Sequence, residues 1–447
     1  MDIMTLKSRR TLLFIIAMAL LAGSVQAATW LVPGDAPSIQ AGIDSAALGD
    51  TVLVSCGTYL EHDIIMKGGI YLLGESEEPG CVVIDAEGQG RVMDCLNLSE
   101  TPFIRNLTFT GGQVSEGWFT ALGGGVRSQL SSVSFTNCIF EGNTARIGAG
   151  LGASESTLTL VDCTFSLNAA EHFEWAAGGA LWARDSQGTI DNCLVTANTA
   201  FSTNPDDPGD GGGFFFNNCR LDVSHSRFED NSTGAGAGAF YSVTTDSSSF
   251  SFCDFIDNSA ANGGAVYFEY GAAAQLSNCT FRGNVATAGG AIVIFNESYP
   301  LLTECLFENN QATLWGGGAI DCWSSNVEID SCIFRNNSAS TNGGGANFGG
   351  SQANIENSLF DGNTANNKGG GIRCHYADVT TTGCTLVGNE AATGAGIHCG
   401  VQSTATVSNT LIAFSTGGEA MVGLEPDFAT ISCSDFFSNS GGDWTGD

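Results

Sequence analysis

The 447-residue chain is predicted to be all-β, a right-handed parallel β-helix of roughly a dozen or more rungs with a short N-terminal capping helix. Three observations predict this. The first is a fixed period. "CDFIDN" at 253–258 with "GGAV" at 263–266 returns as "CTFRGN" at 279–284 with "GGAI" at 289–292, then as "CLFENN" at 305–310 with "GGAI" at 317–320. Phe255, Phe281, Phe307, Phe334 and Phe360 are 26, 26, 27 and 26 residues apart. Units of this size cannot bury an apolar face alone, so they stack. The second is broken parity. In "VEIDSCIFRNN" (327–337), Val327 and Ile329 alternate, as do Cys332 and Phe334, but Ile329 and Cys332 are three apart, so the chain turns a corner between them. The third is the residue before the Cys. Asn137, Asp162, Asn192, Asn278, Ser331, Asn357 and Gly383 stand there, and most of these types accept a left-handed backbone.

Taken in order, residues 1–27 read as a secretory signal. Lys7, Arg9 and Arg10 precede an apolar run from Leu12 to Ala22, and Val25-Gln26-Ala27 is a small-residue cleavage site. The run is too short to span a bilayer, and no later segment qualifies. The expectation is a secreted or cell-surface protein. Residues 28–108 form a cap and first rungs. Within them Pro37 to Ala47 is a short amphipathic helix, with Ile39 and Ile43 on one face, laid over the raw solenoid end. "GDTVLVSCGTY" (49–59) and "GGIYLLGE" (68–75) alternate as strands.

The repeat proper fills 109–415. Its markers are Phe109, Phe140, Phe165, Val195, Phe228, the five Phe above, Leu386 and Leu411. Each rung resolves into three short strands and one variable loop, and at about 4.8 Å per rung the marked rungs make a rod roughly 55–60 Å long. Cys138, Cys163, Cys193, Cys253, Cys279, Cys305, Cys332 and Cys384 share one repeat position with Ser226 and Ser358. Cys and Ser interchange at small inward positions, so the 16 cysteines of this chain are read mainly as a stack of free thiols, although neighbouring rungs are within disulfide reach. Asn143, Asn168, Asn231, Asn258, Asn284, Asn310, Asn337 and Asn363 follow the marker by three and are suited to stacked side-chain hydrogen bonds. Residues 416–447 lose the period and read as a degraded last rung or tail.

The pairing of "GGAL" (178–181), "GGAV" and "GGAI" with "FEGN", "FSLN", "FEDN", "FIDN", "FRGN", "FENN", "FRNN" and "FDGN" resembles the polymorphic outer-membrane protein repeats of bacterial surface proteins. More broadly the chain looks like the pectin-lyase-like β-helix superfamily. The first resemblance implies an adhesin. The second implies a scaffold shared by lyases, hydrolases, adhesins and proteins without known activity, so function must be argued from the site.

Charge excludes some partners. There are 15 Lys+Arg against 47 Asp+Glu, net −32, and loss of residues 1–27 would remove three bases and one acid, leaving −34. Such a surface repels nucleic acid and anionic membranes. Motifs for serine hydrolases, zinc proteases and P-loops are absent from the sequence. Strand parity puts Trp182, Phe215, Tyr241 and Tyr267 on successive rungs facing solvent, a stripe suited to stacking on sugar rings. Long loops at 111–122, 169–177 and 199–210 add Trp118 and Trp175, with Glu171, His172, Glu174 and Phe201 alongside. These aromatics are the candidate ligand contacts, for carbohydrate or another extracellular surface. Asp206, Asp207 and Asp210 offer clustered oxygens, so calcium is a possible ligand; no other cofactor is expected. For catalysis, Glu269 and Asp321 are hydrolytic candidates and Arg373 (or Arg184) the base for an elimination. His398 reads as surface decoration, and Cys374 and Cys399 as bonded or stacked. The predicted role is non-catalytic: an adhesion-type rod binding carbohydrate. The alternatives are a polysaccharide lyase or hydrolase on the same face, or a structural surface protein.

Overall fold

The computed structural model describes residues 27–115, 117, 121–204, 208–423 and 428–445, the side chains of 444 and 445 excepted. Residues 1–26, nearly all of the stretch 1–27 expected to be a signal, lie outside them. One rung shows the plan: Ile320–Trp323, Asn326–Asp330, Ile333–Arg335 and Ser338–Ala339 each pair, parallel and in register, with the equivalent strand of the rungs before and after. In that order these strands belong to the first, second, third and fourth sheets, of 15, 16, 15 and 12 strands. The fourth sheet corrects the three-strand reading. Its strands are mostly two to five residues long and open what the sequence shows as a variable loop, and a segment that short carries no detectable alternation.

The corners form as expected. Asn137, Asp162, Asn192, Asn278, Ser331, Asn357 and Gly383 all have φ between 50° and 67°. Inside, Phe255, Phe281, Phe307, Phe334 and Phe360 stack with centroids 4.4 to 4.8 Å apart and rings within 7° of parallel. The last marker is Ile412 and not Leu411, since Leu386 pairs with Ile412. Behind each Phe runs an asparagine ladder. Asn284 Nδ2 donates to the Phe255 carbonyl and to Asn310 Oδ1, both at 2.9 Å, while its own Oδ1 accepts from Asn258 N and Nδ2. Asn198 and Asn389 belong to this ladder too. They follow Val195 and Leu386, which hides them from a Phe-based pattern.

Thirteen cysteines are free and buried, including Cys374 and Cys399, Cys433 is free and exposed, and Cys56–Cys81 is the single disulfide. The helix is Ile39–Ser45, N-capped by the Ser38 hydroxyl, with Ile39, Gly42 and Ile43 buried against the first rung. A Cβ on Gly42 would fall 2.9 Å from a Val52 methyl, so only glycine lets the helix lie this close. The stack goes on past 415: Met421–Gly423, Ala429–Ser432 and Asp435–Phe437 pair with the rung before, and Trp444–Thr445 pairs in turn with Met421 and Val422. No helix among the described residues is long and apolar enough to cross a membrane.

Candidate functional site

The outward file of the first sheet runs Trp182, Phe215, Tyr241, Tyr267, Val293, Asp321, Asn347, Arg373 and His398, one residue per rung. It faces away from the cylinder, yet Trp182, Phe215 and Tyr241 are only 5 to 6% exposed. The cause is a concave corner. Just before each positive-φ corner residue (a glycine except at Ala237), Leu122, Ile147, Ala177, Asp210, Gly236 and Asn262 bridge to one another as a file of their own, and the outward side chains fill the angle between that file and the first sheet. Leu122, Ile147, Ala177 and Ala237 with Trp182, Phe215 and Tyr241 make a second small apolar core. The flat exposed stripe expected from parity is therefore the floor of a cleft. Alternation reports which side of the strand a residue takes, and says nothing of what lies over it.

The cleft holds about 350 Å³ and is lined by Ile147, Trp175, Trp182, Arg184, Asp210, Phe215, Asn217, Tyr241, Val243, Glu269 and Tyr270. Phe215 stacks on Tyr241 at 5.1 Å, and Tyr241 meets half-buried Tyr267 edge-on at 4.9 Å. Trp175 comes from the long loop expected to contribute. It packs edge-on to Phe215 at 5.6 Å and donates Nε1–H to Asp210 Oδ2 at 3.1 Å. The opening strands of the two long loops, Ala169–His172 and Thr199–Ser202, lie side by side, with Glu171 paired to Phe201 and His172 to Ser202. Arg184 lies 5.8 Å from the Trp182 ring centroid, a cation–π contact.

The catalytic candidates fare differently. The Glu269 carboxylate takes the Tyr241 hydroxyl on one oxygen and the Asn296 amide on the other at 3.1 Å. Burial, then Asp210 and Glu269, push the Tyr241 phenol far up. Asp321 is 5% exposed and accepts from Trp323 Nε1 and Asn347 Nδ2, and burial raises its carboxyl to about 6. Glu269 ends its strand and Asp321 sits two rungs on in a different file. By strand geometry their Cα atoms are roughly 11–12 Å apart, and the two are not presented together to a substrate. Arg373 is half-buried with Nη1 on Asn347 Oδ1 at 2.8 Å. His398 is 2% exposed and so not surface decoration; the same concave corner covers it.

Trp118, Asp206 and Asp207 lie outside the described residues. Asp210 is placed in the cleft, where Oδ1 accepts from Gly236 N and Oδ2 from Trp175. No His, Cys, Asp and Glu cluster that could hold a metal is found among the described residues. The sequence reading also missed Asp94 towards the head of the outward file, where Arg127 grips it with two bonds of 2.8 and 3.0 Å and Nη1 of buried Arg91 adds two more, at 3.0 and 3.2 Å.

Comparison with known families matches the right handed beta helix region to residues 68–284 and 264–422, which is most of the chain. It belongs to the right-handed β-helix family. Comparison with curated proteins gives no match. Among solved structures, this β-helix protein is similar to the catalytic domain of a GH87 α-1,3-glucanase in complex with nigerose, at 11% identity and TM-score 0.39, covering 93% of this chain and 70% of that one. It is also similar to a mannuronic acid specific family 6 lyase from human gut microbiota, at 12% identity and TM-score 0.36, covering 86% and 87%. A mannuronan C-5 epimerase A-module of Azotobacter vinelandii aligns at 14% identity and TM-score 0.30, covering 91% and 95%. The likeness is one of fold alone.

Proposed function

We propose that this β-helix protein is an exported binding rod of adhesion type that holds a short stretch of glycan in the aromatic cleft of its first sheet. The observation that carries the reading is the composition of that cleft. Trp175, Trp182, Phe215 and Tyr241 line it, with half-buried Trp175 the most accessible ring of the four, while Arg184, Asn217 and Glu269 set polar groups beside them, and sugars need an apolar platform with a few placed hydrogen-bonding groups. Its volume of about 350 Å³ is at the small end for ligand sites. Trp175 is half-buried, comes from a loop and is steered by Asp210, which makes it the residue to close on a bound ring. Residues 1–27 supply the export signal in this reading, and the loop carrying Asp206, Asp207 and Asp210 is where calcium would bind.

One observation favours a hydrolase as the second reading: Asp210 and Glu269 both line the cleft. Against it, Asp210 accepts from Gly236 N and Trp175 Nε1 and Glu269 from Tyr241 and Asn296, so neither carboxylate is poised as an acid or base. A single experiment separates the readings. Residues 28–447 are applied to a panel of neutral and acidic polysaccharides with and without Ca²⁺, scoring both retention and release of fragments. Retention on one glycan that Trp175→Ala weakens at least about tenfold supports the binding rod. Fragment release that Glu269→Gln abolishes replaces it with the hydrolase.

A further inference from the structure

The outward file changes character towards the C-terminal end. Beyond the aromatic cleft it reads Asp321, Asn347, Arg373 and His398, and Arg373 lies four rungs from Tyr267, roughly 19 Å along the axis. The bridging file beside it reads Asn342, Lys368 and Thr393. The corner backbone presses on the outward residues. A Cβ on Gly369 would stand 2.9 Å from Arg373 Cβ, and one on Gly394 2.8 Å from His398 Cβ.

Two features of this corner bear on a ligand. The first is unmet hydrogen bonding. Arg373 Nε, His398 Nδ1 and the Thr341 hydroxyl are buried without a partner. A buried polar atom left unpaired costs roughly 1–3 kcal/mol and calls for a missing partner. The second is charge. The chain has three lysines and five histidines at net −32, yet Lys368, Arg373, His375 and His398 gather here. Neither Lys368 nor Arg373 has an ion-pair partner among the described residues. At the other end of the same file Arg127 is fully engaged by Asp94.

We infer that Lys368, Arg373 and His398 form a binding site for a small oxyanion, a carboxylate or sulfate group, in the concave corner of these rungs. Half-buried Lys368 and Arg373 make the rim, and the His398 imidazole lies behind them. The positive charges work against one another: burial first, then Lys368 and Arg373, push His398 down to about 4, and burial, Arg373 and Lys368 lower His375. Asp321 is the nearest carboxyl along the file, and it is turned to Asn347 and Trp323. A bound oxyanion would supply the opposite charge that favours the imidazolium.

The inference stands apart from the glycan cleft and is tested without a polysaccharide. Histidine ring resonances of the full chain are followed by NMR while sulfate, acetate or glucuronate replaces chloride at constant ionic strength. The expected result is a saturable shift of His398 and an apparent pKa raised by roughly one unit or more, with His62 and His225 unmoved. Lys368→Ala, on the half-buried rim, removes the saturation and leaves the His62 and His225 signals in place. Glucuronate saturating below sulfate assigns the site to an acidic sugar, and sulfate below glucuronate to a free anion. Identical His398 titrations in chloride and sulfate, or saturation that survives Lys368→Ala, overturn the site.

Discussion

Asn284→Ala tests whether the asparagine ladder, more than the Phe stack alone, holds the rungs in register. The side chain is fully buried. The substitution removes the donations from Nδ2 to the Phe255 carbonyl and Asn310 Oδ1, and it removes Oδ1 as acceptor for Asn258 N and Nδ2. Two neighbours keep other partners. Asn310 Oδ1 still accepts from Asn284 N at 3.1 Å, and Asn258 Nδ2 still donates to the Phe228 carbonyl at 3.0 Å. The Asn258 backbone N–H is orphaned, and the Phe255 carbonyl loses its side-chain donor. With roughly 1–3 kcal/mol for the orphan and about 1 for each of the three further bonds, the expected loss is roughly 4–6 kcal/mol. The control is Asn366→Ala, an exposed amide with one bond of 3.1 Å to the Ser340 carbonyl, expected to stay within about 0.5 kcal/mol of wild type. Urea unfolding midpoints at a common slope give both values. A loss for Asn284→Ala below about 1 kcal/mol, or no larger than that of Asn366→Ala, would refute the ladder argument.

Three other outcomes are expected. Asp246 is fully buried between Ser242 and Ser248, and burial raises its carboxyl from 3.8 to about 6. The folded state therefore binds the proton more tightly, and its stability falls as pH rises from about 4 to about 6. The stability of Asp246→Asn minus wild type should climb by roughly 2–2.5 kcal/mol between pH 4 and pH 7, and a pH-independent difference contradicts this. In thiol titration the native protein should show one fast-reacting group, Cys433, with the other free thiols reacting on unfolding; several fast native thiols would contradict the buried stack. Cys279→Ser should cost less than about 1.5 kcal/mol by urea unfolding, because Ser226 and Ser358 already fill that position and donate to the backbone carbonyl two residues earlier, at 2.8 and 2.7 Å. A larger cost would mean the sulfur packs in a way serine cannot match.

Much of this architecture was legible because repetition multiplies weak signals. One Asn before a Cys is unremarkable, but the same type at that place in rung after rung fixes the corner. The Phe, Cys and Asn files followed from spacing alone. Asn198 and Asn389 escaped because the residue used as a ruler changed to Val195 and Leu386. The fourth sheet escaped because strands such as Ser338–Ala339 are too short to show a period. The site was half legible. Trp182, Phe215, Tyr241 and Tyr267 do form one file, and Trp175 does join them, but their burial depends on how Leu122, Ile147 and Ala177 bridge across the corner. That angle is set by turn geometry, which parity does not encode. The same blindness turned His398 from a buried residue into an exposed one and made Glu269 and Asp321 look like a pair.

The central claim is that the cleft beside Trp175 binds glycan. Its most direct test is calorimetric titration of wild type and Trp175→Ala with oligosaccharides of the glycan that retains the protein, at matched pH and salt. The account predicts one binding event per chain and at least about a tenfold weaker affinity for Trp175→Ala, measured at a temperature where both proteins are fully folded. Equal affinity in the two proteins would place the ligand elsewhere and contradict the account.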